Sequence, residues 1–391
     1  MRIVHVANFY GPNSGGIKTT LHELGKGYQA YGHEFIYIVP GVNAVEEITP
    51  YGRKITLPGL TLPQSGGYRI IRHNAELKRV LTKLAPDRLE VSDRFTLTSL
   101  GLWAREYGIP SVVFSHETLH GLVDRFLPFL PSSARKRIVN WHNAKLASKF
   151  DHVVATTQFA AKEFKAINTS NLLRISLGVD LLTFNPSLRS EELRKEMLKG
   201  DQVLLVHCGR MSREKEPQRS IDALEILLQK GIRARLVYVG TGPLWHKLRK
   251  KAEGLPIDFL GYIADRHRVA KILASADISM APGPLETFCL AALESLASGT
   301  PVVASQSSAV GEFLRFENQH PAGAVSSDNR FSFAHSIQHL LKRPKLREVA
   351  REVAETMPWD ATVRNMLMLH GALEAQPDLP PLIMQTNLRV A

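Results

Sequence analysis

The sequence predicts an α/β chain of two doubly wound halves, each a mainly parallel sheet covered by helices. Three observations lead there. Short apolar stretches alternate with turns and with segments of helical spacing, the pattern of strand, crossover helix and next strand. The alternation starts at residue 2 and restarts near residue 202, after a charged, proline-containing crossing. A length of 391 residues also exceeds what one ordinary core accommodates.

Composition is that of a globular protein, with 44% hydrophobic and 22% charged residues. No apolar run approaches the ~18 residues of a spanning helix. The opening MRIVHVANFYGP reads as a strand and not as a signal peptide. Two distant cysteines, Cys208 and Cys289, give neither a disulfide framework nor zinc spacing. The expected setting is a reducing cytoplasm. The net charge is +12; residues 1–185 hold 22 Lys and Arg against 14 Asp and Glu, the remainder 27 against 23. That excess fits an anionic partner (nucleic acid, membrane or phosphorylated substrate) and equally a role in solubility alone.

In the first half, residues 2–8 form a strand and Phe9–Gly16 a turn-rich loop ending in Gly15-Gly16. Ile17–Tyr31 has helical spacing through Leu21, Leu24 and Tyr28, and Glu34–Val39 is the next strand. The glycine pair would let backbone approach a phosphate, although most strand-to-helix turns contain glycine, and no P-loop occurs. A strand is expected within Lys54–Leu57, a basic helix over Arg69–Leu84, and a strand over Arg88–Val91 that ends in Ser92-Asp93-Arg94. Such a polar cluster marks either a ligand edge or a helix cap. Ser99–Tyr107 is a helix, and the strand Pro110–Phe114 ends in Ser115-His116-Glu117. His116 at a strand's carboxyl end suits contact with a phosphate or sugar hydroxyl, or a structural role. The segment Leu122–Phe150 carries Arg135, Lys136, Arg137, Lys145 and Lys149 interleaved with Ile138, Trp141 and Phe150. It reads as a contact for an anionic membrane surface or as a solvated helix face. A strand His152–Ala155, a helix Thr157–Lys165 and the segment Leu172–Ser176 lead to the crossing at Gly178–Pro186.

The second half repeats the pattern. The strand Gln202–Cys208 precedes Gly209-Arg210-Met211-Ser212-Arg213-Glu214-Lys215, and a helix follows over Gln218–Gln229. Arg210 and Lys215, on a loop at a strand's carboxyl end, could clamp a diphosphate. Strands at Arg235–Val239, Ile257–Leu260 and Asp277–Met280 end in Gly240-Thr241-Gly242-Pro243, Gly261-Tyr262-Ile263 and Ala281-Pro282. The stretch Gly283–Pro301 then carries Glu286 and Glu294 with seven residues between them. Glu286 precedes an apolar helix, and Glu294 lies on it about two turns in. A helix start without Lys or Arg suits an anion. Helices over Phe331–Leu341, Pro344–Thr356 and Trp359–Leu373 close the chain, before a Pro-rich tail, 376–391, expected to be mobile.

Together these pieces resemble the retaining glycosyltransferases of family four, which have the GT-B fold. The likeness rests on Gly15-Gly16, Gly178-Val179-Asp180 with Phe184 and Pro186, Gly209-Arg210 with Glu214-Lys215, Gly240–Pro243, Leu260-Gly261, Ala276-Asp277, and Glu286 through Glu294 to Gly299–Val303. It implies two Rossmann-like domains facing a cleft: residues 1–185 for the acceptor, with a returning helix 358–375, and residues 186–357 for a nucleoside diphosphate sugar of GDP-mannose or UDP-glucose type. Arg210 and Lys215 would neutralise the diphosphate. Glu294 would hold the ribose and Glu286 the transferred sugar. The amides of Phe288, Cys289 and Leu290, next to Thr287, would face the phosphates. Gly15 and Gly16 would reach the phosphate from the first domain, His116 the sugar near its reacting carbon, and backbone at Ile263 the base. No D-x-D occurs, which fits transfer without a metal or other cofactor. The family's usual Gly-Phe-Gly is here Thr287-Phe288-Cys289, which crowds the loop and places a thiol of expected reactivity at the pocket edge.

The resulting expectation is a hexosyltransferase that delivers mannose or glucose to a lipid or lipid-linked glycan, cytoplasmic or peripheral on the inner membrane face. Two rivals remain at this level: a GT-B enzyme that epimerises or hydrolyses its nucleotide sugar, and a basic nucleic-acid-binding protein. The second lacks any helix-turn-helix, zinc or single-strand-binding signature, so no nucleic-acid partner is expected.

Overall fold

The computed structural model describes residues 1–11, 15–62, 65, 67–314, 321–343 and 345–374. The expected mobile tail, part of the first loop and Pro344 lie outside them. The chain forms two compact units, Met1–Leu177 with the segment from Trp359 on, and Gly178–Pro358.

Unit one contains the strands β1 (Arg2–Ala7), β2 (Glu34–Gly41), β3 (Val45–Thr49), β4 (Gly52–Thr61), β5 (Arg69–Ile71), β6 (Arg88–Ser92), β7 (Ser111–Ser115), β8 (His152–Ala155) and β9 (Leu172–Arg174). Its first helices are α1 (Gly16–Ala30), α2 (Asn74–Leu84), α3 (Ser99–Glu106), α4 (Leu119–Phe126), α5 (Ser132–Ala147) and α6 (Gln158–Lys165). The sheet runs β3-β4-β2-β1-β6-β7-β8-β9, with β5 on β4; β3 and β5 pair antiparallel with β4. The basic helix expected over Arg69–Leu84 therefore starts at Asn74. The β-branched Ile70-Ile71 extend along β4, and His73 is extended at the helix start.

The central strands are buried on both faces, so alternate residues feed two cores. Val4, Val6, Ile36 and Ile38 pack with Leu77, Leu81, Leu100, Trp103 and Phe164 on one side. Ile3, Ala7, Phe35, Tyr37 and Val39 pack with Leu21, Leu24 and Tyr28 of α1 on the other, joined there by Val363, Met366 and Leu367.

Unit two contains α7 (Glu191–Leu198), β10 (Val203–Cys208), α8 (Gln218–Gln229), β11 (Ala234–Val239), α9 (Trp245–Lys251), β12 (Ile257–Phe259), α10 (Arg266–Ser275), β13 (Ile278–Ala281), α11 (Leu290–Ala297), β14 (Val302–Ser305), α12 (Val310–Leu314), β15 (Gly323–Ser326), α13 (Arg330–Leu341) and α14 (Leu346–Glu355). Its sheet is wholly parallel, in the order β12-β11-β10-β13-β14-β15. Counted from β10, that is the 3-2-1-4-5-6 order of a dinucleotide-binding sheet.

Residues 178–185, read from sequence as the end of the first half, belong to unit two. The Val179 amide donates to the Met357 carbonyl at 2.9 Å. Phe184 is buried, and Arg351 donates to the carbonyls of Phe184 and Ala297 at 2.8 and 2.9 Å. The glycine and proline punctuation at the crossing is thus part of the second unit's own packing.

The last helix, α15 (Trp359–Leu369), packs on α1. Gly27 is the point of closest approach: a Cβ there would lie 2.3 Å from Cγ2 of Val363. Gly27→Ala should lower the unfolding free energy by about 1–3 kcal/mol, the usual cost of overpacking. Urea titration should show this, with Val363→Ala in the same chain restoring most of the loss.

Candidate functional site

Parallel α/β sheets bind ligands where the strand order reverses, beyond the strands' carboxyl ends. In unit two that point lies between β10 and β13, since the chain leaves β10 toward β11 and β13 toward β14. The two loops that meet there are 209–217 and 282–289. They carry Arg210, Lys215, Glu286, Thr287, Phe288 and Cys289, six of the residues singled out from sequence.

The first loop is held by backbone. Gly209 N–H donates to the Val239 carbonyl at 2.9 Å, Met211 N–H to Thr241 at 3.0 Å, and Gly240 N–H to Gly261 at 2.7 Å. A Cβ on Gly240 would lie 2.2 Å from the Gly209 oxygen, and one on Gly242 2.5 Å from that of Met211. The glycines of 240–243 are therefore set by the close approach of three strand-end loops. The second loop is anchored from both sides. Arg219 donates to the Pro282 carbonyl at 2.7 Å and to Asp328 at 3.1 Å. Leu285 N–H donates to Ser307 at 2.7 Å, and the Glu286 carbonyl accepts from Ala309 N–H at 2.8 Å.

Lys215 donates to the Glu286 carboxylate across the switch point. Burial would lower the lysine, but Glu286 and its neighbours outweigh that, so Lys215 is held above its ordinary value and stays charged. Arg210 pairs with Glu214 at 2.6 Å, and the Ser212 hydroxyl donates to the same carboxylate. Burial would raise Glu214; these two hydrogen bonds bring it below the usual carboxylate range. Phe288 is buried against Phe313, ring centres 5.5 Å apart, so its side chain anchors the loop. Ile263 is half-buried on the loop beyond β12, two strands from β10.

Helix α11 begins at Leu290, which makes Glu294 its fifth residue, about one turn in and not two. Sequence reading missed the partner of Glu294. Arg266, the first residue of α10, donates to Glu294 at 3.2 Å and lies 5.0 Å over the Phe184 ring. The available signal was a third cation at a strand-end loop, in Ala264-Asp265-Arg266.

In unit one, β1 and β6 flank the corresponding reversal. The Asn8 amide donates across it to Asp93 at 2.6 Å and to Thr96 at 2.8 Å. Asp93 also accepts from the Phe95 and Thr96 amides, and Arg94 is wholly buried, donating to the Glu117 carbonyl at 2.7 Å and to Ser115 at 3.2 Å. Asp93 and Arg94 of the expected polar cluster are thus framework. His116 stands at the end of β7 with Nε2 2.8 Å from Ser92 Oγ, its ring stacked on Phe114. Burial, with the nearby His5, pushes it down to about 3, so it is neutral. Burial lifts the neighbouring Glu117 to about 7 against the pull of Arg94. Gly15 precedes α1 and Gly16 opens it; neither has a positive φ, and a Cβ on either would meet nothing within 4 Å. Among the described residues, no steric demand accounts for this glycine pair.

Two family descriptions match the chain: Glycosyltransferase Family 4 over residues 14–181 and Glycosyl transferases group 1 over residues 189–357. A GDP-mannose-dependent alpha-(1-6)-phosphatidylinositol dimannoside mannosyltransferase of Mycobacterium tuberculosis is 47% identical over 377 residues, 95% of this chain and 97% of that one. The chain belongs to glycosyltransferase family four. It is a retaining glycosyltransferase that draws its sugar from a nucleoside diphosphate sugar. An alpha-monoglucosyldiacylglycerol synthase of Acholeplasma laidlawii is 23% identical over 371 residues, 91% of this chain and 92% of that one. A sucrose-phosphate synthase from Thermosynechococcus elongatus superposes with a TM-score of 0.75 over 95% of this chain and 98% of that one, at 18% identity. That likeness shows the fold, which is GT-B.

The structure also corrects the thiol expectation in this glycosyltransferase. Burial and then the Glu286 charge push Cys289 up to about 12, so it is a protonated, unreactive thiol at neutral pH. Its backbone has φ of +71°, a conformation glycine adopts without a Cβ penalty. This is the physical reason a glycine suits position 289. Cys289→Gly should fold and raise the thermal midpoint, and wild type should resist a thiol-directed alkylating agent at pH 7.

Proposed function

We propose that this enzyme transfers mannose from GDP-mannose, with retention, to a phosphatidylinositol-based glycolipid at a membrane surface. The reading is carried by the mycobacterial mannosyltransferase's 47% identity over nearly the full length of both chains. The switch-point chemistry agrees with it. Arg210 and Lys215 neutralise the diphosphate, which gains negative charge as the glycosidic bond breaks, and positioned cations are worth most at that stage. Two cations and the amides around Leu290 can do this without a metal. Glu286, oriented by Lys215, accepts from the hydroxyls of the sugar. Glu294, which already accepts from Arg266, takes hydrogen bonds from the ribose, and backbone at Ile263 meets the base. Gly15 and Gly16 admit a phosphate, and His116 meets the sugar. The acceptor hydroxyl attacks from the face the diphosphate leaves, and a departing phosphate oxygen takes its proton.

Glu294→Ala should raise the KM for GDP-mannose about 10- to 100-fold, as expected for lost hydrogen bonds to a charged acceptor. Initial rates at varied donor, with a phosphatidylinositol mannoside as acceptor, test this; an unchanged KM removes the ribose role.

The acceptor's class directs attention to α4 and α5. They pack on each other through Leu119, Val123 and Val139. Phe126, Phe129 and Trp141 are 70%, 76% and 62% exposed, beside exposed Lys136, Arg137 and Lys145. Lys145 lies 4.9 Å over the Trp141 ring. The other two cations of the expected patch are engaged, Arg135 with Asp124 and Lys149 with the Thr98 hydroxyl, each at 2.8 Å. We assign Lys136, Arg137 and Lys145, with the three aromatic rings, to an anionic bilayer surface. No helix among the described residues is long and apolar enough to cross a membrane. Lys136→Glu with Arg137→Glu should abolish sedimentation with phosphatidylinositol-containing vesicles, and Phe126→Ser with Trp141→Ser should weaken it at low and high salt alike. Retained binding in both variants overturns the assignment.

A further inference from the structure

Beyond the end of β7, three carboxylates gather around one buried cation. Asp93 follows β6, Glu117 follows β7, Glu163 lies on α6, and the wholly buried Arg94 acts on all of this group. The chain itself serves two of the three. Asp93 accepts from the Asn8 carboxamide, from the amides of Phe95 and Thr96 and from the Thr96 hydroxyl. Glu163 accepts from the His120 amide at 2.8 Å, from Asn143 at 3.1 Å and from Arg94 at 3.3 Å. Both are buried, as framework carboxylates with full sets of partners can be.

Glu117 is different. Its carboxyl accepts a hydrogen bond from no group among the described residues. Its backbone is nevertheless fixed: the Glu117 carbonyl accepts from Arg94 Nη1 at 2.7 Å and from Ser115 Oγ at 3.4 Å. The residue is half-buried, directly after His116 and one residue before Thr118, which precedes α4. A carboxyl taken partly out of water with no partner costs free energy that a framework residue has no reason to carry. The cost shows in its acidity. Burial lifts it first of all, Arg94 pulls the other way, and Asp93 and Glu163 add to the rise, which leaves it at about 7. A perturbed acid beyond the carboxyl end of a parallel strand stands where such sheets hold ligands.

Chemistry limits what completes it. An ionised carboxylate only accepts, through two oxygens, so the ligand must bring N–H or O–H groups. Phosphate is repelled, which leaves the neutral part of a phosphorylated headgroup. Two adjacent hydroxyls on a sugar or inositol ring match the two oxygens.

We propose that Glu117 binds the acceptor, taking hydrogen bonds from neighbouring ring hydroxyls of its polyol headgroup. This rests on the reading of the acceptor as a phosphatidylinositol-based glycolipid. The anion is the stronger acceptor, so kcat/KM for the acceptor should rise as pH passes through about 7 and level off above it. The other charged or titratable groups of this pocket are Asp93, Arg94, Glu163, His116, His120 and His142. His116 is neutral, and burial pushes His142 below its ordinary value. A profile that flattens in Glu117→Gln therefore belongs to Glu117.

The test is made on the full chain. Saturation-transfer NMR with deacylated phosphatidylinositol mannoside should show binding to wild type and about 10- to 100-fold weaker binding to Glu117→Gln, as expected for hydrogen bonds lost from a charged acceptor. In mannosyl transfer the same variant should raise the KM for the lipid acceptor by a similar factor and leave that for GDP-mannose within about twofold. Its fold is checked by melting. An acid raised in the fold loses stability as pH climbs from its ordinary 4.5 to about 7, so Glu117→Gln should melt above wild type by a margin that widens from pH 5 to pH 8. Equal affinity of the two chains for the headgroup, or no binding to either, overturns the inference. Wild type that binds the headgroup without transferring mannose to the lipid instead overturns the acceptor reading on which it rests.

Discussion

Everything assigned to the second unit depends on one topological constraint, the reversal of strand order between β10 and β13. Parallel strands need crossovers, and crossovers of one hand send successive strands steadily in one direction. Where the order reverses, two neighbouring strands send their loops apart and leave an opening that neither helix layer fills. The residues assigned to the donor lie at that opening. The loop after β10 brings Arg210 and Lys215, the loop after β13 brings Glu286, and α11 begins there. The rest of the unit is arranged to keep those loops still. Gly240 and Gly242 let three loops touch through backbone, Arg219 clamps the carbonyl at Pro282, and the turn beyond β14 holds Leu285 and Glu286.

Much of this was legible in the sequence because its causes are local. Strands buried on both faces appear as short apolar runs, and loops that must touch appear as glycine at fixed offsets. Arg210, Lys215, Glu286 and Glu294 could be placed at strand ends on that basis. What escaped were features decided by contacts distant in sequence. Arg69–Ile71 forms a strand because β4 offers it an edge, while its basic flank and the apolar residues that follow read as helix. Arg266 joins Glu294 only through the packing of α10 beside α11. The start of α11 is set by the backbone turn at Cys289, which an apolar run does not announce. His5 lies far from Glu90 and Ser92 in the chain, and only strand register makes them neighbours.

The two units use their buried charge differently. In the second, carboxylates and cations pair at the rim, where they are partly exposed and able to exchange partners. In the first, charge is sealed inside the sheet, with Glu90 met by donors and Arg94 by the Glu117 carbonyl, the Ser115 hydroxyl, the Asn143 carboxamide and the Glu163 carboxylate. Removing one member from such a closed set leaves an uncompensated group with no route to water. The rim arrangement suits a site that rearranges around a ligand, and the sealed one a framework that must not move.

The pairing of Lys215 with Glu286 and of Arg210 with Glu214 has a consequence for selectivity. A pocket of bare cations would attract any small anion in the cell, and free phosphate would compete with the donor. Here each cation already has a carboxylate beside it, so a simple anion gains little by entering. A nucleotide sugar brings both halves of the exchange, phosphates for the cations and hydroxyls for the carboxylate they release. On the proposed reading of the site, the resting ion pairs act as a filter that opens to a ligand carrying the two chemistries together.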